Sequence, residues 1–314
     1  MKRDSFLKLS AATIAGLSGG FSLSSLREVR TRKPFRQNNY SDSLKKGYML
    51  DTFPSRDEFS LMEKCAMLKT AGFDAVEPPS GLDREEMVAA ANEYSLDIPS
   101  VVVSTHWANP LSSPDPAVRE TGRKGVETAL HDANAYGASL ILLVPGVVNE
   151  NVSYKDAYNR SRAEIEKLLP LAEELEVVIG IENVWNHFLL SPLEAAQYVD
   201  DFKSEWVGWY FDIGNIMNFG WPEQWINVLG DRIVMVHLKE FSRKKRDEEG
   251  LWNGFRVHYT EGDNNWEAIM AALKQTGYSG YAIAEPSWRG EDVEPQEFLR
   301  QYVSQKMDKI LTHF

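Results

Sequence analysis

Four apolar runs in this sequence stop abruptly at side chains that bind metals or move protons. VVIGIEN ends at Glu182, GWYFDIGN at Asp212, VMVHLKEF at His237 and Lys239, and YAIAEP at Glu285. Glu182, Asp212, His237 and Glu285 together make a ligand set for one divalent cation. Oxygen donors favour hard ions such as Mg2+ and Mn2+, and a single imidazole shifts the preference toward Mn2+ or Co2+, with Zn2+ tolerated. Any one of these residues alone reads as an ion pair or a cap. Four at successive run ends gather three negative charges, and such a cluster needs a cation.

Each run reads as a buried strand, and the chain repeats the pattern eight times. Strands are expected at 47–53, 73–78, 98–105, 138–146, 177–183, 207–215, 233–240 and 280–286. Amphipathic stretches at 57–71, 83–95, 115–136, 155–175, 192–202, 222–229, 265–276 and 295–312 read as the intervening helices. Continuous apolar runs, unlike alternating ones, fit a parallel sheet covered on both faces. Eight strand–helix units predict a single-domain α/β protein, a (β/α)8 TIM barrel, over residues 46–314. An open doubly wound sheet competes, but no GxGxxG follows the first strand. Side chains alternate along a strand. An inward Glu182 therefore takes Gly180 and Val178 with it, Asp212 takes Tyr210 and Gly208, His237 takes Met235 and Ile233, and Glu285 takes Ile283 and Tyr281. The polar group then always lies at the C-terminal strand end, where this fold keeps its active sites.

Charge narrows the partners. The chain carries a formal net charge of -12, although residues 1–36 hold eight Lys and Arg against Asp4 and Glu28. An acidic body repels phosphate backbones, so a nucleic-acid partner is not expected. The lone Cys65 excludes an internal disulfide and a cysteine metal site. Residues 1–25 combine a basic start with a short apolar stretch from Leu9 to Leu17, which reads as an export signal. It resembles a degenerate twin-arginine signal, with Asp4 where the second arginine belongs. The expectation is a periplasmic protein, or a cytoplasmic one if residues 1–25 are only a tail. Residues 26–45 read as a linker, and no segment of the body has membrane-spanning length. Oligomeric state leaves no trace in the sequence.

The motifs GFDAVE (72–77), GIEN (180–183), FDIGN (211–215), VHLKE (236–240), TEGDNNW (260–266) and GYSGYAIAE (277–285) occur in an order and spacing that form a set. By this set the chain resembles the xylose-isomerase-like barrel superfamily of sugar isomerases and epimerases. The resemblance covers residues 46–314. It implies that Glu182, Asp212, His237 and Glu285 bind one ion, commonly Mn2+, Mg2+ or Co2+. It also implies that Glu182 and Glu285 are the catalytic acid/base pair. Two positions depart from the pattern of ketose 3-epimerases: Phe188 stands where those enzymes have a substrate-binding glutamate, and Asn215 where they have a histidine.

The chemistry of such a pair follows from the weakness of a carbon acid beside a carbonyl. The enediolate must be stabilised, and a cation on the carbonyl and hydroxyl oxygens does so. Two carboxylates on opposite faces of the sugar then serve as base and acid. Return of the proton to the other face is epimerisation, and return to the neighbouring carbon is isomerisation. The same pair could eliminate a group two carbons away, as a keto-glycoside lyase or hydrolase-like enzyme would. The sequence leaves these open, and a non-catalytic sugar-binding barrel remains as a further alternative. An abasic-site endonuclease shares the fold but needs more histidines and a basic face.

Several residues are expected around the mouth as contacts to a small carbohydrate. Lys239 shares the inward face of His237 and is suited to an oxyanion. Glu77 ends the second strand and could bond a substrate hydroxyl, orient a neighbour or pair with Lys239. Asn215 is suited to a hydroxyl or to a helix cap. The resemblance adds His106 and Arg256. Trp107, Trp185, Trp221, Trp252 and Trp288 all fall in loops after strands, where aromatic faces suit sugar C–H faces. Of these, Trp107, Trp185 and Trp252 are the expected substrate contacts, and the set suggests a substrate larger than a short sugar phosphate. SRKKRDEEG (242–250) reads as a solvated loop.

Overall fold

The computed structural model describes residues 43–287 and 292–314, so the expected export signal and most of the expected linker lie outside the described residues. Eight strands occur where apolar runs predicted them: β1 (Lys45–Met49), β2 (Ala75–Glu77), β3 (Ser100–Val102), β4 (Leu140–Leu143), β5 (Val178–Glu182), β6 (Val207–Asp212), β7 (Ile233–Leu238) and β8 (Tyr281–Ala284). All pairings are parallel, in the order β2-β1-β8-β7-β6-β5-β4-β3. The seam between β2 and β3 is stitched outside the strands themselves. Asp97 exchanges backbone bonds with Val76 and Asp74, both 2.9 Å, and Val102 does so with Pro78 at 2.9 Å and Ser80 at 2.8 Å. The result is a nearly closed (β/α)8 barrel. Pro78 and Pro79 lack a ladder donor, and β2 is accordingly short.

Local signals start and stop the helices. Ser60 and Glu63 form a reciprocal capping box that opens helix Leu61–Ala71, and Gly72 ends it at φ 92°. Asp83, Asp115, Ser153 and Ser191 each accept from a backbone N–H to open the next four helices. The helix predicted from 57 starts later, because a 3-10 turn occupies Arg56–Glu58. The final predicted helix contains a π-helical stretch at Phe298–Ser304.

The barrel interior is filled by Ala75, Val102, Leu140, Leu142, Val178, Tyr210, Met235, Tyr281 and Ile283. A larger apolar layer packs between sheet and helices. Gly47 makes room for this interior: a Cβ there would lie 2.3 Å from Ile283 Cδ1. One expected inward residue, Ile233, instead belongs to the outer layer. The pairing shifts between Trp209 and Tyr210, so that Trp209 faces Ile233 while Tyr210 faces Met235. The extra residue in β7 is a bulge, and it breaks the alternation on which that assignment rested.

A second correction concerns 242–250. This is not a loop but a helix, Arg243–Glu249, followed by a 3-10 turn at Leu251–Phe255. Ser242 caps it at the Lys245 amide, while Arg243 grips the carbonyls of Met217 and Gly220 and Arg246 that of Asn218. The charged run folds because its arginines have tertiary partners. Among the described residues no helix is long and apolar enough to cross a membrane.

Candidate metal centre

Strands β5, β6 and β7 and the residue after β8 deliver the four candidate ligands to one point. Glu182, Asp212, His237 and Glu285 each offer an atom, and these atoms lie within 4.8 Å of one another. Asn183 locks two of the strand ends together. Its amide donates to Asp212 O at 2.7 Å, and its oxygen accepts from Asp212 N at 3.0 Å and Trp209 Nε1 at 3.1 Å. The sequence showed Asn183 only as a motif letter; a polar residue directly behind a strand-end glutamate was its one signal.

Hydrogen bonds fix the orientation of His237. Its Nε2 lies 2.8 Å from Glu77 Oε2, while Nδ1 lies 2.9 Å from Glu285 Oε2 and 3.5 Å from Glu182 Oε1. Glu77 is fully buried and its other oxygen accepts from Tyr210 at 2.6 Å and Ser100 at 2.5 Å. Of the roles expected for Glu77, orientation of a neighbour fits this geometry. A bond to a substrate hydroxyl does not, because both oxygens are engaged beneath the site, and Lys239 is not its partner. With Nε2–H held by a carboxylate, the neutral imidazole that a cation would require has its lone pair on Nδ1, directed toward the other three candidate ligands.

Lys239 Nζ sits 3.0 Å from Asp212 Oδ2 and 2.6 Å from Glu285 Oε1. Asp212 Oδ1 accepts from the Asn215 amide at 2.8 Å, but Oδ2 is buried without a well-directed hydrogen bond. An under-satisfied buried carboxylate oxygen, in a set of three carboxylates and one imidazole, fits a divalent cation. The electrostatics agree. Burial pushes Glu182 up, with Glu285 adding to the rise. Burial and the charges of Glu285 and Glu182 push Asp212 up to about 8, against the opposing pull of Lys239. For Glu285 burial works upward, yet Lys239 and His237 outweigh it and hold the carboxyl below its ordinary range. For His237 burial works downward, yet Glu77, Glu182 and Glu285 raise it well above 6.5. Bunched acids held by two cationic side chains are the arrangement that a dication would relieve.

Above the cluster opens a cavity of about 460 Å³. Its lining includes Glu182 and Glu285 together with seven expected substrate contacts: His106, Trp107, Trp185, Asn215, Lys239, Trp252 and Arg256. Asp212 and His237 lie below this floor, both fully buried. The Val144 amide donates to His106 Nδ1 at 3.3 Å, so Nε2 carries the proton. Burial pushes the His106 pKa down to about 4, which keeps the ring neutral. Asn215 donates to Asn183 O at 3.0 Å and its own carbonyl accepts from Trp185 Nε1 at 2.8 Å. Two further positions named from the sequence, the loop residue Trp221 and the departure Phe188, do not line this cavity. Trp221 turns away and stacks under Arg243 at 5.5 Å, while Phe188 is buried against Tyr154, Tyr158 and Tyr198. Trp288 lies outside the described residues. A second cavity, of about 380 Å³, opens among Asp97, Tyr136, Met235 and Tyr281 at the N-terminal strand ends and contains none of the four ligands.

Glu240 is a further buried carboxylate that sequence reasoning passed over. It accepts from Thr260 N at 2.7 Å, Asn264 N at 3.3 Å and Trp266 Nε1 at 2.8 Å, and so pins the TEGDNNW segment behind β7.

Comparison with known proteins places this geometry. The family described as xylose isomerase-like TIM barrel matches residues 65–302. L-ribulose-5-phosphate 3-epimerase UlaE of Escherichia coli O1:K1 is 29% identical over 268 residues, covering 79% of this chain and 90% of that protein. Among solved structures, D-allulose 3-epimerase from Methylomonas sp. superposes with a TM-score of 0.70 at 19% identity, over 88% of this chain and 99% of its own. The E. coli 3-keto-D-glucoside 4-epimerase YcjR gives 0.71 at 18% identity, over 84% and 99%. These two structures establish the shared fold.

Proposed function

The chain belongs to the xylose isomerase-like TIM barrel family, and on that premise we propose that it is a divalent-metal-dependent sugar epimerase. It acts on a keto-sugar or keto-sugar derivative by moving a proton at the carbon beside the carbonyl. The observation that carries this reading is the position of Glu182 and Glu285. Both belong to the candidate ion site and both line the cavity above it. The relatives that are 3-epimerases by name support epimerisation over isomerisation.

The residues divide the work. One of the two glutamates takes the proton and the other, protonated, returns one from the opposite side; the reverse reaction exchanges their roles. Neutral His106 donates Nε2–H to a substrate oxygen. Lys239 places positive charge beside Glu285, where negative charge develops on the sugar. Asn215 orients a hydroxyl at the edge of the cavity. Glu77 keeps Nδ1 of His237 aimed at the site. When bound to Glu182, Asp212, His237 and Glu285, the ion supplies Lewis-acid polarisation of the carbonyl. Trp107 and Trp185 help exclude water.

The test is incubation of the Mn2+-supplemented protein with keto-sugars in D2O. Deuterium appearing at the carbon next to the carbonyl, with the epimer forming, is the expected result. Absence of exchange on every keto-sugar overturns the reading. Release of a second sugar or aglycone, in place of an epimer, identifies a lyase.

A further inference from the structure

We propose that the substrate carries a second, uncharged ring, so that this site recognises a glycosidically extended keto-sugar and not a sugar phosphate; this rests on the reading above. The first observation is an aromatic shelf. Phe255, Trp185 and Trp252 pack on one another: the Trp185 ring lies 4.9 Å from Phe255 and 4.8 Å from Trp252, with ring planes tilted by 42° and 45°, so that Phe255 is buried, Trp185 half-buried and Trp252 outermost. The shelf begins at the chemistry. Phe255 packs against Lys239 Nζ at 5.4 Å, and that ammonium is 2.6 Å from Glu285. It ends in solvent, where Trp252 is 67% exposed.

The shelf is anchored. Trp185 is held by its Nε1–H on Asn215 O at 2.8 Å, and the Asn215 amide is held by Asp212 at 2.8 Å. Phe241 buttresses Phe255 edge-on at 4.8 Å. Trp107, which also lines the cavity, is 52% exposed. The aromatic surface that stays open to the cavity, on Trp252, Trp107 and the half-buried Trp185, is suited to the C–H faces of a sugar ring.

Charge is the second observation. The described lining of the cavity holds three carboxylates, Asp51, Glu182 and Glu285, against Lys239 and Arg256. Lys239 is the inner of these two cations, buried at the proton-transfer end of the cavity beside Glu285. Among the described lining residues Arg256 is then the one exposed cation of the outer cavity, where phosphate sites gather several donors in a fork or at a helix N-terminus. The outer cavity therefore offers stacking in place of ion pairing.

The experiment compares three sugars that share one ketose and differ at one oxygen: D-fructose, D-fructose 6-phosphate and isomaltulose, in which that oxygen carries a glucosyl ring. Their affinities for the Mn2+-loaded protein are measured by titration calorimetry, which needs no turnover. The proposal predicts isomaltulose binding about tenfold tighter than D-fructose, equal to about 1.4 kcal/mol, and D-fructose 6-phosphate binding no tighter than D-fructose. W252A brings the isomaltulose-to-fructose ratio close to one, with an unchanged melting temperature showing that the exposed side chain was removed without unfolding. Tighter binding of the phosphate, no advantage for isomaltulose, or an advantage that survives W252A overturns it. Deuterium exchange on the same sugars reports separately on the proton-transfer chemistry, so failure of one reading is distinguishable from failure of the other.

Discussion

Replacing Glu77 by glutamine tests how the imidazole is aimed, without touching a candidate ligand. Glu77 Oε1 accepts from two hydroxyls, Ser100 at 2.5 Å and Tyr210 at 2.6 Å, while Oε2 faces His237 Nε2 at 2.8 Å. The glutamine keeps its carbonyl where two O–H groups donate. Its amide nitrogen then faces His237 Nε2 and donates to it. The neutral imidazole, the form able to bind a cation, must now carry its proton on Nδ1, the atom 2.9 Å from Glu285 and aimed at the ion site. A protonated nitrogen has no lone pair to give a cation. Loss of such an orienting partner weakens metal affinity roughly 10- to 100-fold, which is about 1.4–2.7 kcal/mol. Calorimetric titration of Mn2+ into wild-type and E77Q protein reads this directly, with thermal melting to show that the variant is folded. Wild-type Mn2+ affinity in a folded E77Q protein would refute the account of His237.

Three other outcomes follow from the same geometry. E182Q and E285Q each lower kcat for proton exchange by about 10²- to 10⁴-fold, the usual contribution of a positioned acid or base, as read by deuterium incorporation. K239M leaves the buried Asp212 and the half-buried Glu285 without their ammonium partner; the metal-free protein is expected to lose about 3 kcal/mol of stability, and added Mn2+ to raise its melting temperature more than that of wild type. His106 titrates near 4 when folded and near 6.5 when unfolded, because burial disfavours its charged form. On account of His106 the unfolded chain binds more protons between these values, so its contribution, about 3 kcal/mol, is full above pH 6.5 and is lost as pH drops toward 4; denaturant titrations across that window should show stability falling more steeply with acid in wild type than in H106Q.

The barrel was legible because its strands are unbroken apolar runs and its helices carry their own caps. Ser60 with Glu63, and Gly72 after Ala71, mark a helix from start to finish using neighbours in sequence alone. The strand-end ligands were legible for the same reason: a carboxylate or imidazole closing a hydrophobic run is conspicuous. What remained hidden depends on partners far along the chain. Glu77 meets His237 from 160 residues away, and only the closed barrel shows it as a support and not a substrate contact. Ile233 faces outward because of a bulge that no local pattern announces. Helix Arg243–Glu249 forms because its arginines find carbonyls near residues 217–220, and Trp221 leaves the rim because Arg243 reaches over it.

Crystals soaked in Mn2+ and measured at the manganese absorption edge would test the metal centre most directly. The account predicts one strong anomalous peak per chain, within bonding distance of Glu182, Asp212, His237 Nδ1 and Glu285, with Lys239 Nζ displaced from between the carboxylates. A peak coordinated by other residues, or no peak at those four side chains with Lys239 still between Asp212 and Glu285, would contradict it.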